Sequence, residues 1–75
     1  MTKQSHENHQ KLLQLLKEAI EDERMAAQDY RNMSLGVRNL GHPEMVHAME
    51  RIALDEDRHR SDLAKLYNNL LKEIE

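Results

Sequence analysis

Glu56 and His59 stand one helical turn apart in Asp55-Glu56-Asp57-Arg58-His59, where apolar residues otherwise recur in alternating steps of three and four: Met45, Met49, Ile52, then Leu63, Leu66 and Leu70. The two positions missing from that series are 56 and 59. A carboxylate and an imidazole on an apolar helical face are costly to desolvate unless something compensates them. A metal ion does so, and the Glu-x-x-His spacing aims both side chains at the same point. A third residue of ligand type interrupts the preceding segment. Its apolar column reads Leu13, Leu16, Ile20, Glu23, Ala27, Tyr30, Ser34, Val37, beside a second column of Leu12, Ala19, Ala26, Met33 and Leu40. Two carboxylates and one imidazole favour iron, with manganese as the alternative, over zinc or copper.

Two helices position these groups. The periodicity predicts the first over about 9–39 and the second over about 43–73, with a turn at 40–43. Gly41 suits a left-handed helix stop, Pro43 the first turn of the next helix, and Glu44 its amino end. Residues 1–8 read as a flexible polar N-terminus, with Ser5 or Asn8 as a helix cap, leaving 9–75 as a single helical-hairpin domain. The expected fold is all-α, an antiparallel two-helix hairpin. Glu23 lies roughly 24 Å from the turn, and Glu56 and His59 roughly 20 and 24 Å, at 1.5 Å per helical residue. All three reach one level of the hairpin.

Three ligands do not complete a site, and a lone hairpin leaves its apolar face in water. A twofold homodimer answers both needs, because it closes a four-helix bundle and doubles the set to four carboxylates and two imidazoles. Such a set matches the di-iron carboxylate pattern, with Glu23 as terminal ligand, Glu56 as bridging carboxylate and His59 as nitrogen ligand. Composition closes other routes. The chain has no cysteine, which excludes thiolate metal sites and disulfides. Its net charge of −3, with Tyr30 and Tyr67 as the only aromatic residues, argues against nucleic acid as a partner. No apolar run suits a membrane span and no signal pattern opens the chain, so the expected compartment is cytoplasmic. No linker, low-complexity segment or repeat stands out. Met25, Leu35 and Leu54 fall off the main apolar columns and read as surface residues or as a further contact in a larger assembly.

The chain resembles the rubrerythrin-like branch of the ferritin-like superfamily, and specifically one half of that four-helix unit. The likeness is carried by Ala19-Ile20-Glu21-Asp22-Glu23, Tyr30, Gly41-His42-Pro43-Glu44 and Ile52-Ala53-Leu54-Asp55-Glu56-Asp57-Arg58-His59, and by the 33-residue step from Glu23 to Glu56. The resemblance implies that Tyr30 hydrogen-bonds a ligand carboxylate from just outside the metal. The half size is similar to encapsulated ferritins, ferroxidases assembled from two-helix protomers. Their cargo peptide has no evident counterpart after Leu71-Lys72-Glu73-Ile74-Glu75, so residence inside a protein nanocompartment is not expected from it. No rubredoxin-like cysteine cluster is present either.

The function expected from these residues is oxidation of iron(II) by dioxygen or peroxide, of ferroxidase or peroxidase type. It would act at a site holding two iron ions, shared between two chains of a homodimer or higher homo-oligomer. Two alternatives stand beside it. One is a non-enzymatic interaction module in which a buried polar layer fixes bundle register. The other is an iron-binding protein without turnover. Asp29, Asp55 and Asp62 are candidate partners for the second ring nitrogen of His59. His6 and His9 have a chelating i,i+3 spacing at a solvated terminus, His47 reads as surface, and His42 as serving the helix start. Met33, Met45 and Met49 read as core.

Overall fold

The computed structural model describes the backbone of residues 3–74 and the side chains of residues 6–73. It is an antiparallel pair of α-helices, α1 (Lys3–Asn39) and α2 (Pro43–Ile74), with no strand among the described residues. The pair forms a rod of 58 × 14 × 12 Å. The turn is a glycine-terminated helix stop: Gly41 takes φ 80°, the His42 amide donates to the Val37 carbonyl at 3.2 Å, and the Gly41 amide donates to Arg38 at 3.0 Å. Two otherwise orphaned carbonyls are thereby satisfied. On the other side of the turn the His42 carbonyl accepts from the Met45 and Val46 amides at 3.1 and 3.2 Å, opening α2. His42 serves the helix start through its backbone.

α1 begins at Lys3, earlier than the expected start near residue 9. Residues 1 and 2 of the predicted flexible segment lie outside the described residues, and 3–8 are helical. Ser5 and Asn8 therefore stand within the helix and do not cap it. The physical reason is that Lys3 to Asn8 contains neither glycine nor proline. His6 and Gln10 make a 3.2 Å side-chain contact one turn apart, and His9 meets Glu73 of α2 at 3.2 Å, so the far end of α2 gives the extra turns something to pack beside.

The contact between the helices is narrow. Among the described residues, Leu13, Ala27, Val46 and Ala53 are the buried apolar ones and Ser34 the buried polar one. Ala27 and Ala53 are almost wholly covered, so small side chains set the closest approach of the two backbones. The column expected to be buried on α2 divides in two. Met49, Glu56, Leu63 and Leu70 are half-buried, next to Val46 and Ala53, which lay outside that column and close the hairpin, while Met45, Ile52, His59 and Leu66, seven residues apart, stand open. An antiparallel pair covers one strip of each helix, and an apolar face wider than that strip is left in solvent. Ion pairs across the helices tie the register. Arg31 donates to Asp57, Arg38 donates to Glu50 at 3.0 Å two turns away, and His9 with Glu73 closes the open end.

Candidate metal centre

Glu23 from α1 and Glu56 and His59 from α2 come together midway along the rod, each offering a ligand atom within 4.8 Å of the others. The local cause is the offset between the two strips of α2. Glu56 follows Ala53 by three residues on the strip that closes the hairpin, and His59 follows Ile52 by seven on the open one. Glu23, one turn before Ala27, meets both from across the pair. Glu23 and Glu56 are half-buried, and the His59 side chain is 57% exposed.

The electrostatics of this cluster are incomplete. Oε2 of Glu23 is buried and accepts no hydrogen bond. Nδ1 of His59 lies 3.7 Å away, too long for a hydrogen bond. A buried acceptor left in this state costs on the order of 1–3 kcal/mol. The surrounding cations are engaged elsewhere: Arg24 forks onto Glu21 at 2.6–3.1 Å, Arg31 and Arg60 both face Asp57, and Arg58 approaches Asp55 at 3.8 Å. The Arg31 hydrogen bond holds the Asp57 carboxyl below its ordinary range, and the Arg24 hydrogen bond does the same for Glu21. Among the described residues no arginine or lysine pairs with Glu23 or Glu56. The donor set fits a hard divalent cation: two carboxylates, one imidazole, and a buried oxygen lacking a donor.

Other residues singled out in the sequence behave differently. Tyr30 is half-buried on the face of Glu23, and its hydroxyl forms no hydrogen bond to Glu23 or Glu56 within one chain. Neither Asp29, Asp55 nor Asp62 forms a hydrogen bond or ion pair with His59; the ring faces Glu23 instead. His6 meets Gln10 and His9 meets Glu73. His47 is exposed beside a shallow hollow at the turn, lined also by Arg38, His42 and Val46. Met49 is half-buried, whereas Met33 and Met45 are exposed in the single hairpin and so are not part of its core. The residues that sequence reasoning missed are Val46 and Ala53, whose burial fixes where Glu56 points. Their signal was a second three-four series one residue out of step with the one followed.

The rubrerythrin family model matches residues 14–75, a span holding Glu23, Tyr30, Glu56 and His59. The chain belongs to the rubrerythrin family. Curated proteins and solved structures return no match. No helix among the described residues is long and apolar enough to cross a membrane.

Proposed function

We propose that this rubrerythrin-family chain is a di-iron carboxylate protein that oxidises iron(II) with dioxygen or peroxide, at a site completed by a second copy of the chain. The observation that carries the reading is the convergence of Glu23, Glu56 and His59, with one carboxylate oxygen buried and unsatisfied. Iron, or manganese in its place, would be held by Glu23 as terminal ligand, Glu56 as bridging carboxylate and His59 through a ring nitrogen. When bound, a pair of iron ions supplies the electrons that reduce the oxidant. The chain's own contribution is to hold charge-bearing oxygens ready in a face that apolar side chains shield from water. Three ligands from one chain leave such a pair under-coordinated, and the half-exposed His59 ring marks the side from which further ligands would arrive. A homodimer, alone or within a larger homo-oligomer, supplies them in an all-α four-helix bundle.

The test is anaerobic loading with iron(II), followed by admission of oxygen or peroxide while absorbance is recorded. Wild type is expected to bind two irons per dimer and to develop the iron(III)-carboxylate absorption. Glu56→Ala is expected to bind no iron above background. If the variant binds and oxidises iron like wild type, the reading fails. The 3.7 Å approach of His59 to Glu23 favours a second reading, a polar layer that sets register without metal. Under that reading a chelator leaves assembly and melting temperature unchanged, and added iron has no effect on either. Iron binding without oxidation would leave the third reading, an iron-binding protein without turnover.

A further inference from the structure

We propose that Met33 and Met45 are sites of oxidation by peroxide, and that their sulfoxides keep the hairpin from pairing with a second copy. The proposal rests on the shared-site reading above and adds a means by which excess oxidant closes off that site.

The two thioethers share a face with the metal ligands and a level with each other. Met45 lies two sevenfold steps before His59 on α2, with Ile52 in line between them. Met33 lies seven residues beyond Ala26 on α1, in the column of Ala19 and Ala26 that brackets Glu23. Met33 follows Glu23 by ten residues, and Met45 precedes Glu56 by eleven. Because the helices of the hairpin run in opposite directions, both stand on the turn side of the ligands, roughly 15–17 Å along the rod. Met49, seven residues before Glu56, adds a half-buried third thioether nearer the site.

Leucine occupies the matching places at the other end of this face. Leu12 precedes Glu23 by eleven residues, and Leu66 follows Glu56 by ten. With Leu16 and Leu70 they line an apolar groove toward the open end of the hairpin. Leucine and methionine are close in volume and exchange at little cost in a packed surface. The turn end of the face therefore differs from the open end in one chemical respect, an oxidisable sulfur.

Sulfur chemistry in this chain is confined to thioethers. No cysteine is present, so peroxide meets no thiol before it meets methionine. Met33 and Met45 are 44% and 42% exposed in the single hairpin, within reach of a small oxidant. The step transfers one oxygen atom. A sulfur lone pair attacks the peroxide, the O–O bond breaks, an S–O bond forms and water leaves. Sulfur is oxidised by two electrons and the peroxide is reduced by the same two. A flexible apolar side chain thereby becomes a polar one. Burying a sulfoxide oxygen against a second copy without a hydrogen-bond donor is costly, and each chain would carry two of them. Pairing in turn covers the sulfurs, so the hairpins open to oxidation are those not yet assembled. Excess peroxide removes these from the pool that can complete a site. Met25, 52% exposed but off the ligand face, has no such effect when oxidised.

The test treats dilute, metal-free protein with hydrogen peroxide, removes the peroxide with catalase, and concentrates the product. Peptide mass spectrometry is expected to place one added oxygen on each of Met33 and Met45. Light scattering, with and without anaerobic iron(II), should then show a monomer that binds no iron above background. Treated at high concentration, where hairpins pair, Met33 and Met45 should be spared while Met25 reacts as before. Met33→Leu/Met45→Leu places at the turn end the residue already present at the open end. It should still pair and bind iron after the dilute treatment. Enzymatic reduction of the sulfoxides, an arm that needs no variant, should restore pairing to oxidised wild type. If the leucine variant loses assembly as wild type does, or reduction fails to restore it, the damage lies at other residues and the proposal is wrong. Oxidised wild type that pairs like untreated protein overturns it too, and leaves the shared site standing. Untreated wild type that stays monomeric with and without iron(II) would bring down the shared-site reading itself.

Discussion

Glu23 carries the plainest chemical signal in the molecule. Its buried oxygen has no donor, and the imidazole facing it stands too far away to supply one. Glu23→Gln keeps the shape, removes the charge and gives the position a donor. Without metal, the variant is expected to melt at the wild-type temperature or a few degrees above it, since about 1 kcal/mol shifts a domain of this size by roughly 4–8 °C. In iron(II) the order should invert, because only wild type gains the stabilisation that comes from binding metal in the folded state alone. Thermal unfolding with and without anaerobic iron(II) reads both effects. A metal-free variant that melts well below wild type would show that Glu23 is held by an internal partner. All three candidate ligand positions stand out in the sequence as interruptions of an apolar rhythm. The surroundings of His59 do not, because which carboxylate an imidazole faces depends on the rotation of one helix about its axis.

Between the elements, stability is distributed over a thin apolar strip and a few ion pairs. Asp57 on α2 takes the hydrogen bond of Arg31 on α1 and also faces Arg60, and the Arg31 hydrogen bond holds its carboxyl below the ordinary aspartate value. A carboxyl whose folded value is depressed contributes stability that is complete above the unfolded value and lost as pH falls through the folded one. The hairpin should therefore keep this contribution at neutral pH and shed it only below about pH 4. Asp57→Asn should remove that part of the acid dependence while leaving the shape of the profile between pH 5 and 8 as in wild type. Denaturant melts at stepped pH measure it, and an unchanged acid limb in the variant would show that Asp57 contributes nothing. The elements themselves were readable. Gly41 and Pro43 fixed the turn, and the three-four rhythm fixed both helices. The start of α1 was not, because polar residues without a breaker extend a helix or fray according to what lies beside them, and here Glu73 lies beside His9.

At the scale of the whole molecule, the exposed apolar residues divide between the face that carries the ligands and positions well away from it. Ile52 is 38% exposed on the ligand face, and Leu54 is 60% exposed off it. Ile52→Glu is expected to give a monomer by light scattering and to abolish iron binding, although residue 52 is not a ligand. Leu54→Glu, the more exposed of the two, should leave both unchanged. If Leu54→Glu dissociates the assembly and Ile52→Glu does not, the wrong face has been assigned. What sequence alone determined was local and periodic: two helices, their stop and start, and three polar residues on apolar columns at one distance from a turn. Tertiary structure decided which of two adjacent apolar strips on α2 closes the hairpin. A helix repeats every 3.6 residues, so strips one residue out of step are equally regular in sequence. Only packing against α1, with Ala27 and Ala53 at closest approach, puts Glu56 toward the hairpin and His59 toward the open face. That choice turns three residues of ligand type into one candidate site.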